Sequence, residues 1–163
     1  ELDSLSHQTR QYVLNLVELE KKRVGHAYLP WAQVDYLLKD NALEDVETVV
    51  VRSGHTRLPV VDDGQVIGVI NTKELLTLIK AGQKDWTSII RPISRVNEQS
   101  SLLMTLRQMQ EKRSHLSAVY HGDKLKGIVT MEDILEEVIG EVYDEDDDGA
   151  LKRILTRRKI SLT

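Results

Sequence analysis

Residues 127–135 read GIVTMEDIL, and residues 68–76 read GVINTKELL. The two stretches lie 59 positions apart and share one pattern. In each, a glycine precedes two β-branched apolar residues, then a polar residue able to cap a helix, then an acid three places further on. β-branched residues favour strands, and a capping residue followed by an acid marks a helix start. The pattern therefore predicts a strand ending at Ile70 or Val129 that runs directly into a helix.

The repeat extends outward from this junction. At the same offset Val60 falls on Val119 and Leu43 on Leu102, while Pro30 and Val34 match Pro92 and Val96 after a three-residue gap. Leu43, Val46, Val49 and Val50 recur at helical spacing, as do Leu75, Leu76 and Ile79 in the same unit. Leu102, Leu103, Leu106 and Met109 do so in the second unit, with Ile134, Leu135 and Val138 after them. "RLPVV" and "QVIGVI", then "LSAVY" and "KLKGIV", read as strands, with Asp62, Asp63 and Gly64 supplying the first turn. Each unit is thus a short strand, a helix, two strands joined by a turn, and a closing helix. The fold class is α/β (α+β), with helices covering sheets. Units of fewer than about 60 residues are marginal alone, so the two pack as a pair with pseudo-twofold symmetry.

The boundaries expected are a leading linker helix over 1–23, a first repeat over 24–82, a second over 83–143, and an acidic then basic tail over 144–163. The leading helix places Val13, Leu16 and Val17 on one face. Gly82 to Arg91 reads as the connector.

Composition narrows the function. The 163-residue chain has a net charge of −4, which argues against nucleic acid as a partner. It has no cysteine, which removes disulfides, thiolate metal sites and thiol catalysis. No apolar run approaches the roughly 20 residues needed to cross a bilayer. The chain begins at Glu1, which points to a fragment of a longer protein or a processed product. Neither a nucleophile–base pair nor a metal-ligand cluster is visible, so no catalytic or metal-ligating residue is assigned and an enzyme is not expected.

Thr130 and Asp133 have the spacing of a capping box, in which each side chain satisfies the other's backbone N–H. One helical turn apart, they also have the spacing to face one ligand, and an aspartate suits a ribose diol. Spacing leaves both readings open. His55, Thr56 and Arg57 stand where a strand begins, ahead of Pro59. Asp144 to Asp148 form an acidic run, followed by the cations Lys152, Arg153, Arg157, Arg158 and Lys159. The run suits hard cations or a solvated face, and the basic stretch suits an anionic membrane surface or the acidic run itself.

The whole ordered set, "SGHTRLPVV", "KRSHL" and "GIVTMEDILEEVIGEVYDE" together with the proline of "HAYLPW", resembles a pair of CBS domains, also called a Bateman module. It is most similar to the cytosolic pair of the CorC/HlyC and CNNM magnesium and cobalt transporters. The resemblance covers about Ser6 to Asp146. It implies tandem CBS repeats at the cytosolic face of the inner or plasma membrane, attached to a transporter domain and pairing into a homodimer. It implies binding of ATP or AMP, with Mg²⁺ carried on the nucleotide, and regulation of Mg²⁺ or Co²⁺ transport. Carried over by residue, Thr130 and Asp133 would contact the ribose, His55 would stack on adenine and Arg57 would reach the phosphates. Tyr28 and Leu29, before Pro30, would line the other side of the base, with Thr56 and Pro59 completing the set.

Four features depart from that family. Tyr28-Leu29-Pro30-Trp31 replaces Met-Thr-Pro-Arg, so Tyr28 or Trp31 would offer a stacking face instead. Asn71 and Glu74 replace the Ser/Thr and Asp of the first repeat, so one nucleotide site is expected rather than two. The turn in "YHGDK" is short, and the domain that often follows in bacterial members does not occur in this sequence. A structural homodimerisation module with a vestigial pocket is the alternative function.

Overall fold

The computed structural model describes residues 4–143. The acidic and basic segments read from the sequence lie outside the described residues.

The first repeat runs β2 (Leu37–Leu38), α2 (Leu43–Ser53), β3 (Arg57–Asp62), β4 (Gln65–Asn71) and α3 (Thr72–Lys80). The second runs β5 (Ser94–Asn97), α4 (Leu102–Glu111), β6 (Leu116–His121), β7 (Lys124–Thr130) and α5 (Met131–Tyr143). These are the elements the periodicity predicts, in the predicted order. In each repeat a short strand lies parallel to the middle strand, which lies antiparallel to the last. Register follows the 59-residue offset closely. Leu37 pairs with Val60 and Val96 with Val119, and a bulge breaks both hairpins at Val60/Val61 and Val119/Tyr120. Asp63 and Gly64 both take positive φ, 49° and 73°, as a two-residue type I′ turn requires.

The repeats exchange their leading segments. β1 (Leu29–Pro30) pairs antiparallel with β7 of the second repeat, Leu29 against Ile128 and Pro30 against Gly127. Reciprocally, Arg91 pairs with Val69 on β4, N to O at 2.9 Å in both directions. Each crossing segment runs over a glycine. A Cβ on Gly68 would stand 2.5 Å from the Arg91 carbonyl, and one on Gly127 would collide with the Leu29 carbonyl and the Tyr28 ring. The repeated glycine with which the alignment began is therefore the crossing point of the two halves.

Two cores result, and they divide differently from chain order. The first gathers Leu37, Val46, Leu58, Val60, Ile70 and Leu75 around Trp86 of the connector, whose Nε1 donates to the Asn41 carbonyl at 2.8 Å. The second gathers Val96, Leu102, Leu106, Met109, Val119, Val129 and Ile134, and takes in Leu19 and Val24 from the N-terminal segment. That segment is tied there by backbone bonds from Val24 to Ser100 and from Gly25 to Glu98. Val61 and Val66 meet Ala118 and Tyr120 where the halves join.

The leading helix α1 (His7–Glu18) starts at Ser6, whose Oγ accepts from the Thr9 amide at 3.2 Å. It packs on α5, but not through the expected face. Val13 is half-buried, but Leu16 and Val17 are exposed, and the buried residue of the helix is Asn15, whose Nδ2 donates to the Val138 carbonyl at 2.7 Å. This polar contact between α1 and α5 is one that an apolar-face argument from the sequence misses.

Candidate functional site

β3 and β6 are equivalent in the two repeats, and their first residues, Arg57 and Leu116, head the candidate site. Arg57 is opposite Asn71, and Leu116 is opposite Thr130. The residue before each strand staples it to the helix that follows: the Thr56 carbonyl accepts from the Thr72 amide, and the His115 carbonyl from the Met131 amide, both at 2.9 Å. Strand entry and helix start are thus held together at both ends of the module.

At the second-repeat end Thr130 and Asp133 form the capping box. The Thr130 amide donates to Asp133 Oδ2 and the Asp133 amide to Thr130 Oγ1, each at 3.1 Å. This leaves the Asp133 carboxylate its other oxygen, and both residues are half-buried at the start of α5. Leu29 lies along the same strand edge, opposite Ile128, and the Tyr28 ring covers Gly127. His55 is held by Asp35, Nε2 to Oδ2 at 3.4 Å, and Asp35 also faces Arg52 at 3.9 Å. Trp31 stacks on Tyr36 with ring centroids 4.9 Å apart, so one of its faces is already covered. Pro59 is buried within β3 opposite Val69, and the Thr56 side chain is exposed.

At the first-repeat end the arrangement differs. Asn71 caps α3 through its Oδ1, which accepts from the Lys73 amide at 2.9 Å. Glu74, in the place of Asp133, grips Arg91. Arg91 Nε donates to its two oxygens at 3.1 and 3.3 Å, and Nη2 donates at 2.8 Å. The hydrogen bond and charge of Glu74 raise the Arg91 pKa above its ordinary value. Between these residues lies a cavity of about 550 Å³. Arg57, Val69 to Asn71, Glu74, Arg91 to Ser94 and Lys112 to Leu116 line it.

Of the residues expected at a nucleotide site, Arg57 alone lines this cavity. Shifting the lining by the repeat gives four more: Asn71 corresponds to Thr130, Glu74 to Asp133, Ser114 to His55 and His115 to Thr56. Lys112, Arg113, Arg91 and Asp35 were not among the expected site residues. The signal for Lys112 and Arg113 was the same offset, which sets "KRSHL" on "SGHTR". No group of three or more His, Asp or Glu suited to a metal ion occurs among the described residues. Nor is any helix among them long and apolar enough to cross a membrane.

A family model for the CBS domain matches residues 29–81 and 86–140. Curated relatives include the UPF0053 protein MG146 of Mycoplasma genitalium, 34% identical over 130 residues that make up 77% of this chain and 31% of that protein. The magnesium and cobalt efflux protein CorC of Escherichia coli K12 is 27% identical over 90% of this chain and 53% of its own length. The chain thus spans between 31% and 53% of the length of these relatives. Among solved structures, a conserved domain of unknown function from Neisseria meningitidis MC58 superposes with a TM-score of 0.74 at 26% identity, over 81% of this chain and 88% of that one. The CBS domain of a bacterial CNNM/CorC family Mg²⁺ transporter in complex with ATP superposes with a TM-score of 0.74 at 24% identity, over 82% and 98%. The two matched segments, the duplicated strand and helix order and the reciprocal exchange of leading segments agree, and the chain belongs to the CBS-domain family as a tandem pair of repeats.

Proposed function

We propose that the chain is the regulatory part of a divalent-cation transporter, binding ATP or a related adenine nucleotide at the Thr130/Asp133 end of the module. The observation that carries this reading is the capping box itself. It fixes Thr130 and Asp133 at the strand-to-helix junction and leaves Asp133 an acceptor oxygen for a ribose hydroxyl. Leu29 and Tyr28 lie on the adjoining strand edge, on the side where the base would rest. His55 provides a ring, and Arg57 provides a guanidinium suited to phosphate. CorC relatives are named magnesium and cobalt efflux proteins, and a structural neighbour was solved with ATP, in keeping with this assignment. Mg²⁺ on the phosphates offsets their charge against a chain of net −4.

The mechanism is linkage. Nucleotide that binds one arrangement of the two repeats more tightly shifts the population toward it, and an attached membrane domain at the cytosolic face of the membrane responds. Domain limits of 24–82 and 83–143 for the two regulatory repeats belong to the same proposal. Calorimetric titration with ATP, with and without Mg²⁺, tests it. Saturable heat that Asp133→Ala abolishes is expected, and no heat at millimolar nucleotide overturns it.

A second reading is a homodimerisation module whose pocket is vestigial. Leu76 and Leu135, equivalent in the two repeats, are 54% and 41% exposed on α3 and α5, as a paired face for a second copy would require. A dimer whose melting temperature ignores nucleotide favours this reading over the first.

A further inference from the structure

We propose that the cavity beside Asn71 and Glu74 is a separate site for a compact phosphate anion of the pyrophosphate class, bound without a nucleoside. The inference goes beyond the nucleotide reading, with which it shares Arg57 alone.

Charge is the first argument. Arg57, Arg91, Lys112 and Arg113 line the cavity against a single carboxylate, Glu74, in a chain that is acidic overall. Glu74 is already neutralised, since both its oxygens accept from Arg91. Arg57, Lys112 and Arg113 have no ion pair among the described residues. Arg57, which the nucleotide reading also uses, and Lys112 and Arg113, which it does not, line a space of about 550 Å³, a cationic lining that favours a multiply charged anion.

The lining also disfavours a nucleoside. The acid that would hold a ribose diol is taken by Arg91. The Ser114 hydroxyl donates to the Leu116 carbonyl, and Ser94 shares a hydrogen bond with Ser117. His115 supplies the lone ring of the lining.

The backbone supplies an independent argument. α2 ends at Gly54 with φ of 65°, a left-handed cap that glycine adopts freely. Its counterpart 59 residues on is Arg113, with φ of 50°. A side chain in that conformation is strained, and such strain persists at sites where the side chain has a task. A Cβ at Gly54 would meet nothing within 4 Å, so crowding does not explain the difference between the two repeats. What the second repeat gains is a guanidinium at the cavity.

Calorimetric titration of the 163-residue chain with sodium pyrophosphate in about 150 mM salt, where loose surface attraction is screened, tests this. Saturable binding is expected. Arg113→Gly should raise the melting temperature by relieving the backbone, yet weaken pyrophosphate about tenfold, the loss expected for a charge-assisted hydrogen bond. Lys112→Ala should weaken it comparably, and Asp133→Ala should leave it unchanged. Absence of binding at millimolar pyrophosphate overturns the proposal, as does wild-type affinity in both cavity variants. Loss of pyrophosphate binding in Asp133→Ala also overturns it, because the cavity would then be an extension of the nucleotide site. Pyrophosphate binding without ATP binding would leave this site standing and remove the nucleotide reading.

Discussion

The carbonyl of Leu29 occupies the space that a side chain on Gly127 would need. Leu29 lies in the crossing segment before the first repeat, and Gly127 lies in the last strand of the second. Their contact is where one half of the module is laid across the other, and Arg91 over Gly68 repeats it. Gly127→Ala must push β1 off β7. The backbone cannot yield as a flexible side chain would, so a loss of about 1–3 kcal/mol is expected. A fall in melting temperature of roughly 3–10 °C, accompanied by faster amide exchange at Ile128, is the measurable result. An unchanged melting temperature would mean that the crossing segments do not hold the halves together.

Asp133 carries two tasks that one substitution separates. Asp133→Asn keeps an oxygen for the Thr130 amide, so the cap survives and stability should change by less than about 1 kcal/mol. It loses the charge and turns one acceptor into a donor, so ATP affinity should fall at least about tenfold. Thr130→Ala removes the other half of the box and should cost about 0.5–2 kcal/mol. Thermal melts and calorimetry on the same samples distinguish the effects. An Asn variant that binds ATP as tightly as the parent would remove Asp133 from the site.

The repeat explains how much could be read before any coordinates. Both hairpins, four of the helices and the strand-to-helix junctions follow from periodicity and one offset, because each depends on local pattern. β1 did not, since a two-residue strand has no periodicity and its partner lies about a hundred residues away. The burial of Asn15 was hidden for a different reason: hydrophobic spacing looks for apolar faces, and Asn15 meets α5 through a hydrogen bond. At the site, Thr130 and Asp133 were visible as a motif. The cationic cavity was not, because its cations come from three separate stretches around Arg57, Arg91 and Lys112–Arg113. Of these, only Arg113 breaks a local rule, and it does so only when set beside Gly54.

Asn15→Ala tests the docking of the leading helix. The substitution removes the bond that Asn15 donates to the Val138 carbonyl at a half-buried position, a loss of about 0.5–1.5 kcal/mol. The effect should concentrate on α1 and α5, seen as faster amide exchange there while the first repeat is unchanged. Uniform exchange across both repeats would show instead that the two cores unfold as one.

Glu74 sets the charge that the cavity presents. While it holds Arg91, one cation of the lining is neutralised and turned toward α3. Glu74→Gln removes the negative charge and releases the guanidinium, so pyrophosphate should bind several-fold more tightly. Stability should change little, because Arg91 is exposed and surface ion pairs contribute little in water. The sign of the pH effect follows from the raised Arg91 pKa. A base whose pKa rises on folding contributes fully below its unfolded value and loses that contribution only as pH climbs through the folded one. For a guanidinium that window lies beyond any working buffer, so between about pH 6 and 9 the pair should be insensitive to pH through Arg91. A tighter anion in Glu74→Gln, with the pH dependence of the melting temperature unchanged over that range, is therefore the expected pair of results. A weaker anion would mean that Glu74 orients Arg91 toward the ligand rather than withholding it.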